Sequence, residues 1–85
     1  MVSPNPTSST MTVQVVDEKG VLSKDPKEKF YELQITDKIG AVKKQFKYAS
    51  GLKQTNINLS TLPSDLYFLR IWDGKIWTSM EIIKK

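Results

Sequence analysis

The chain contains no cysteine and no histidine. Together those absences exclude disulfide frameworks, thiolate or imidazole zinc sites, cysteine nucleophiles and every catalytic triad built on a histidine base. They say nothing positive about compartment, because an exported protein can also do without thiols. Alanine occurs only twice, and no apolar run approaches the roughly 18 residues of a membrane-spanning helix. The opening MVSPNPTSST has neither the basic stretch nor the apolar core of a signal peptide. Glycine-rich phosphate loops, calcium-loop patterns, metal-ligand spacings, heptads, internal repeats and low-complexity tracts are likewise missing. The only adjacent acids, Asp17 and Glu18, sit in a charged stretch where solvation is their role. These gaps point away from an enzyme and from any cofactor or metal.

What is present reads as one small β domain. A chain of 85 residues buries only a little over about 60% of the surface it exposes when unfolded, so its core is thin. Hydrophobic residues at 39% and charged residues at 26% suit a soluble globular module rather than a disordered tail. Val, Ile and Thr together number 20 against the two alanines, which favours pleated strands over helix.

Residues 1–9, with two prolines and small polar side chains, read as an extended linker, and the domain proper as 10–85. Thr10 to Val16 alternates with Met11, Val13 and Val15 on one face, the mark of a half-buried strand. Asp17 to Lys29 carries Gly20, Pro26 and eight charged side chains, a long solvated loop in which Val21 and Leu22 touch down. Phe30 to Thr36 points Tyr31, Leu33 and Ile35 one way. Asp37-Lys38-Ile39-Gly40 supplies a turn, and Ala41 to Tyr48 returns with Val42, Lys44, Phe46 and Tyr48 on one face. Thr55 to Leu59 puts Ile57 and Leu59 inward, and Leu62-Pro63-Ser64-Asp65 turns the chain. Leu66 to Trp72 and Lys75 to Ile83 flank an Asp73-Gly74 hairpin signal. The pattern predicts a small antiparallel β-sandwich of six to seven strands with almost no helix. Its expected core is Tyr31, Leu33, Ile35, Phe46, Ile57, Leu59, Tyr67, Leu69 and Ile71.

Charge is uneven. Residues 1–40 hold five Lys against six Asp or Glu, and residues 41–85 hold seven Lys and Arg70 against three acids. A basic second half suits an anionic partner, but lysine on strand edges also keeps sheets from pairing with other chains, and that reading is preferred. Trp72 and Trp77 flank the Asp73-Gly74 turn, where they form either packing or a stacking platform for a sugar, so a small carbohydrate-binding or adhesion module is one alternative. Asn58-Leu59-Ser60 matches the N-glycosylation triplet, yet Leu59 belongs to the core pattern.

One ordered set of motifs is more specific. Ser3-Pro4-Asn5-Pro6-Thr7 opens it and Leu33-Gln34-Ile35-Thr36-Asp37-Lys38-Ile39-Gly40 follows. Ile57-Asn58-Leu59-Ser60-Thr61-Leu62-Pro63 and Leu66-Tyr67-Phe68-Leu69-Arg70-Ile71 come next, and Ile82-Ile83-Lys84-Lys85 closes the chain. This resembles the type A C-terminal sorting domain of the type IX secretion system of Bacteroidetes, over about residues 3–85. The resemblance implies an Ig-like β-sandwich that serves as the secretion signal of a larger precursor. The cargo crosses the inner membrane by its own N-terminal signal peptide. The outer-membrane translocon then recognises the folded domain, and a cell-surface sortase commonly removes it and joins the cargo to an anionic lipopolysaccharide. The precursor's destination is the outer membrane, the cell surface or the medium. On this resemblance Met1 is the start of an excised segment and the domain is a substrate rather than a catalyst. The chain is expected to be a monomer that binds no specific nucleic acid. The family's motif positions fall on Pro4, Asn5, Pro6, Gly40, Tyr67, Gly74, Lys84 and Lys85. Two features depart from the family pattern. Asp65 stands where glycine usually precedes the aliphatic-Tyr pair, with aspartate expected to tolerate a left-handed turn there. The stretch from Asp17 to Lys29 is longer than the usual connection.

If the basic half only solvates, any affinity for DNA comes from counterion release alone. DNA retardation assays should then show weak binding that falls steeply with added salt and does not discriminate among sequences.

Overall fold

The computed structural model describes residues 2–6, by their backbone, and residues 9–84. Seven strands are present and, among the described residues, no helix: β1 Val2–Pro6, β2 Thr10–Val15, β3 Phe30–Asp37, β4 Val42–Leu52, β5 Gln54–Asn58, β6 Asp65–Trp72 and β7 Trp77–Lys84. They form two antiparallel sheets, β1-β2-β5 and β4-β3-β6-β7. First, second and fifth strands thus face third, sixth and seventh, with the fourth added beside the third. That order is consistent with an immunoglobulin-like sandwich.

Alternation builds the core. Met11, Val13 and Val15 of β2, Leu33 and Ile35 of β3, Ile57 of β5, Tyr67, Leu69 and Ile71 of β6 and Ile82 of β7 are buried between the sheets, joined by Phe30, Leu59 and Leu62. The intervening residues of β2 and β6 are half-buried or exposed, the period-2 signature of a sheet with one wet face. β1 occupies the segment read as an extended linker. It is extended, and it pairs with β2 from Val2 opposite Val15 to Pro6 opposite Met11.

Three details differ from the sequence reading. Phe30, not Tyr31, enters the core. Phe30 pairs with Leu52 but Glu32 pairs with Lys47, so β4 takes up extra residues there and the alternation inverts. Phe30 then meets Tyr48 edge to face at 5.9 Å, while Tyr31 stays half-buried with its ring beside Gly51 and Gly74. The displaced Tyr31 ring lies against the backbone of Gly51, where an added Cβ would come within 2.8 Å of it, so only glycine fits. Phe46 is half-buried rather than enclosed, because β4 is an edge strand. A second register shift, between Ile35 and Thr36, sets Val42 opposite Thr36 and Lys44 opposite Ile35. This removes Val42 from the face it was expected to share with Phe46 and leaves it 52% exposed.

The long Asp17–Lys29 connection is anchored rather than loose. Val16 bridges Leu22, and the Lys53 ammonium donates to the carbonyl of Ser23 at 2.8 Å and also to that of Asp25.

Leu69 is fully buried on β6, an interior strand paired on both sides. Leu69→Ala should therefore destabilise the domain by about 2–5 kcal/mol, read from the denaturant midpoint with an unchanged slope.

Candidate functional site

The motif positions separate into two ends of the sandwich. At one end lie the β3–β4 turn, the start of β6 and the finish of β7. Asp37 pairs with Tyr67 and Asp65 with Lys84, so Gly40, Tyr67 and Lys84 come together from three distant parts of the sequence. The β1–β2 connection reaches the same end, because the amide of Leu59 donates to the carbonyl of Ser9 at 2.6 Å and the Leu59–Leu62 turn leads on to Pro63 and β6. Pro6 therefore sits towards this end in the backbone, with Pro4 and Asn5 behind it opposite Val13 and Thr12. Lys85 lies outside the described residues. Gly74 does not join this group: it occupies the β6–β7 turn at the opposite end, with the Tyr31 ring beside it.

The turn at the first end is built by Asp37. Its Oδ1 accepts from the amides of Ile39 at 3.0 Å and Ala41 at 2.9 Å, while its carbonyl accepts from the amide of Gly40 at 3.0 Å. Gly40 has φ of 91°, a conformation glycine adopts without strain. The same arrangement recurs at Asp17, whose Oδ1 accepts from the amides of Lys19 and Val21 and whose carbonyl accepts from that of Gly20. Sequence reasoning passed over Asp37 as a positioning residue, although the Asp-x-x-Gly spacing at 17–20 and 37–40 was visible. Amide donors, that of Ala41 foremost, hold the Asp37 carboxyl below the usual aspartate range, with the Lys43 ammonium 3.6 Å away assisting. The Asp73 carboxyl is lowered in the same way by the amides of Ile76 and Lys75.

Tyr67 is fastened from both ends. Its ring is buried, and its hydroxyl donates to the carbonyl of Pro63 at 2.7 Å, four residues upstream. This is the tyrosine corner found where a chain crosses between sheets of Greek-key sandwiches. Burial, then the nearby Asp65 and Asp37 carboxylates, push its phenol above the usual range. Asp65 does not adopt the left-handed conformation expected of it: among the described residues only glycines have positive φ. Its Oδ1 instead accepts from the amide of Leu66 at 2.7 Å, and its other oxygen pairs with Lys38 at 3.8 Å. Around this end the apolar side chains of Ile39 (85%), Ile83 (62%) and Val42 are exposed.

Trp72 and Trp77 face each other across the β6–β7 pair with ring centroids 5.5 Å apart, and the Arg70 guanidinium lies 4.8 Å over the Trp77 ring. The same face carries a polar chain. Arg70 donates to Gln34 Oε1 at 3.3 Å, and Gln34 and Gln45 both donate to Glu32, which with Gln45 as chief cause holds its carboxyl below the usual range. Asn58 Oδ1 accepts from the amide of Ser60 at 2.8 Å, so the triplet's asparagine is engaged in a local turn. A cleft of about 340 Å³ opens at the Gly74 end, floored by Val15, Phe30, Ile71 and Met80 and rimmed by Lys29 and Lys75. No cluster of potential metal ligands occurs among the described residues.

A two-sheet antiparallel sandwich with a tyrosine corner defines the class of protein as a small β-sandwich module. Comparison with protein families is more specific: the secretion system C-terminal sorting domain family matches residues 1–85. The chain belongs to that family, and so is a C-terminal sorting signal of the type IX secretion system, exported as part of a larger precursor. The family is not an enzyme family. Among curated proteins no match was found.

Because the folded Asp37 carboxyl titrates below its ordinary value, its stabilising effect is complete above that value and is lost as pH falls through the lowered one. The melting temperature should hold near neutrality and drop below about pH 4, and Asp37→Asn should flatten part of that drop.

Proposed function

We propose that the type IX outer-membrane translocon recognises the end of the folded sandwich formed by the Gly40 turn, Tyr67 and the terminal lysines Lys84 and Lys85, with Pro4, Asn5 and Pro6 leading into it. The observation that carries this reading is the convergence of Gly40, Tyr67 and Lys84, which the strand pairings of Asp37 with Tyr67 and Asp65 with Lys84 bring about. β7 is an edge strand held by β6 alone within its sheet, with β1 of the other sheet close by, and strand addition by a receptor at that edge is the mode this topology supports. Such recognition needs no cofactor. In the same reading a surface sortase then removes the domain from its cargo and the domain acts as a monomeric substrate. Gly74, at the far end, serves its own turn on this view.

The carbohydrate-binding alternative depends on an open aromatic face. The tilted contact of Trp72 with Trp77, with the Arg70 guanidinium over the Trp77 ring, supports a packing role for the pair instead.

The test is a reporter with a Sec signal peptide, ending in this domain, in a type IX-competent cell. Lys84 is half-buried and pairs with Asp65 of β6 through the strand backbone, so changing Lys84 and Lys85 to Ala should move stability by less than about 0.5 kcal/mol each. The expected result is an unchanged melting temperature with the reporter accumulating in the periplasm. Continued export of the double variant would show that the lysines only solvate the strand end.

A further inference from the structure

Ile39 is the most exposed large apolar side chain among those described, at 85%, and nothing in the fold calls for it. Its turn is held by backbone amides on the Asp37 carboxylate and by Gly40, an arrangement indifferent to the side chain between Lys38 and Gly40. A polar residue would serve there at no loss of packing. A single exposed isoleucine is ordinary on a protein surface. This one is not single: Val42 at the start of β4 and Ile83 near the end of β7 are exposed too, and Leu66, paired with Ile83, is half-buried. Lys38, beside Ile39, reaches Asp65 at 3.8 Å, which ties the β3–β4 turn to the start of β6 and, through the Asp65–Lys84 pairing, to the end of β7.

We propose that Ile39, with Val42, Leu66 and Ile83, is the apolar anchor by which this end of the sandwich seats in an apolar socket on a protein partner. The proposal rests on the translocon reading above and extends it, since Ile83 precedes Lys84 on β7 and Leu66 follows Asp65, the partner of Lys84, on β6. The partner's chemistry follows from the charges among these side chains. Lys38 is paired with Asp65 and Lys43 with Asp37, and β7 carries Glu81 as well as Lys84, so the lysines named at this end are matched by acids. An anionic lipid surface attracts basic segments by about 1 kcal/mol for each lysine near it, and a balanced patch forfeits most of that attraction. A protein surface that meets apolar side chains with an apolar socket, and the flanking ion pairs with polar groups of its own, fits the pattern better.

The experiment uses the same Sec-targeted reporter with Ile39→Ser, with Ile39→Leu as the conservative variant and Ile76→Ser as the control. Ile76 is also 62% exposed but lies in the β6–β7 turn at the opposite end. Ile39→Ser should keep the parental melting temperature and lower surface-exported reporter about tenfold, equivalent to about 1.4 kcal/mol of lost binding. Ile39→Leu and Ile76→Ser should export at the parental level. Parental export by Ile39→Ser overturns the inference while leaving the translocon reading intact. An equal loss with Ile76→Ser also overturns it, because the effect would then be one of surface hydrophobicity in general. Absence of export by the parental reporter overturns the translocon reading and this inference together. Two further measurements discriminate the partner: co-sedimentation of the purified domain with phosphatidylglycerol vesicles, or a dimer in analytical ultracentrifugation, either one lost in Ile39→Ser, would replace the protein socket by lipid or by a second copy.

Discussion

The structure depends on a shortage of interior strands. Of seven strands only β2, β3 and β6 have neighbours on both sides, and the other four are sheet edges. The inward stripes Met11-Val13-Val15, Leu33-Ile35 and Tyr67-Leu69-Ile71 must therefore supply most of the core from three strands. Phe30 at the start of β3, the loop residues Leu59 and Leu62, and Ile57 and Ile82 of edge strands close what remains. A core this thin has little redundancy, so the devices that fix register matter more than they would in a larger domain. Tyr67 is one such device. Its ring belongs to the inward stripe and its hydroxyl holds the Pro63 carbonyl, coupling the crossover between sheets to the burial of β6.

The architecture was legible because its signal is local. Alternation in residues 10–15, 30–36 and 66–72 reports which face each strand buries, and the Asp37–Gly40 turn is written in four consecutive residues. The errors arose where register is decided across strands. Alternation alone makes Tyr31 a partner of Leu33, but the extra residues that β4 carries opposite Phe30 and Glu32 turn Phe30 inward. Nothing within residues 30–36 records that insertion. Gly51 does, by being a glycine, though only the Tyr31 ring lying against it explains why. Likewise β1 was readable as extended from its two prolines, whereas its pairing with β2 depends on where the tertiary fold sends the chain.

The candidate site was legible as motif positions and not as a place. Gly40, Tyr67 and Lys84 were each named from resemblance, and only the strand order β3-β6-β7 reveals that the turn, the corner and the terminal strand meet at one end. The same order sends Gly74 away from them. Asp65 shows how a departure from a family pattern can be accommodated. Where glycine would supply a left-handed residue, aspartate takes a negative φ, caps the Leu66 amide and pairs with Lys38, so the start of β6 is held by side-chain bonds rather than by backbone freedom.

This arrangement bears on what kind of signal the domain carries. A linear signal would keep its recognition groups within one continuous stretch, readable in an unfolded chain. Here the neighbours of Lys84 are contributed by the β3–β4 turn and by β6, and they assemble only when β6 pairs on both sides. Unfolding would disperse Ile39, Leu66 and Ile83 along the chain and release the Asp37 and Tyr67 bonds that set the turn and the crossover. On the proposed reading, recognition at this end is therefore coupled to folding. A receptor that grips the terminal strand together with its neighbours selects cargo whose sorting domain has already formed its core, and the thin, cooperative sandwich behind that end is what makes the selection sharp.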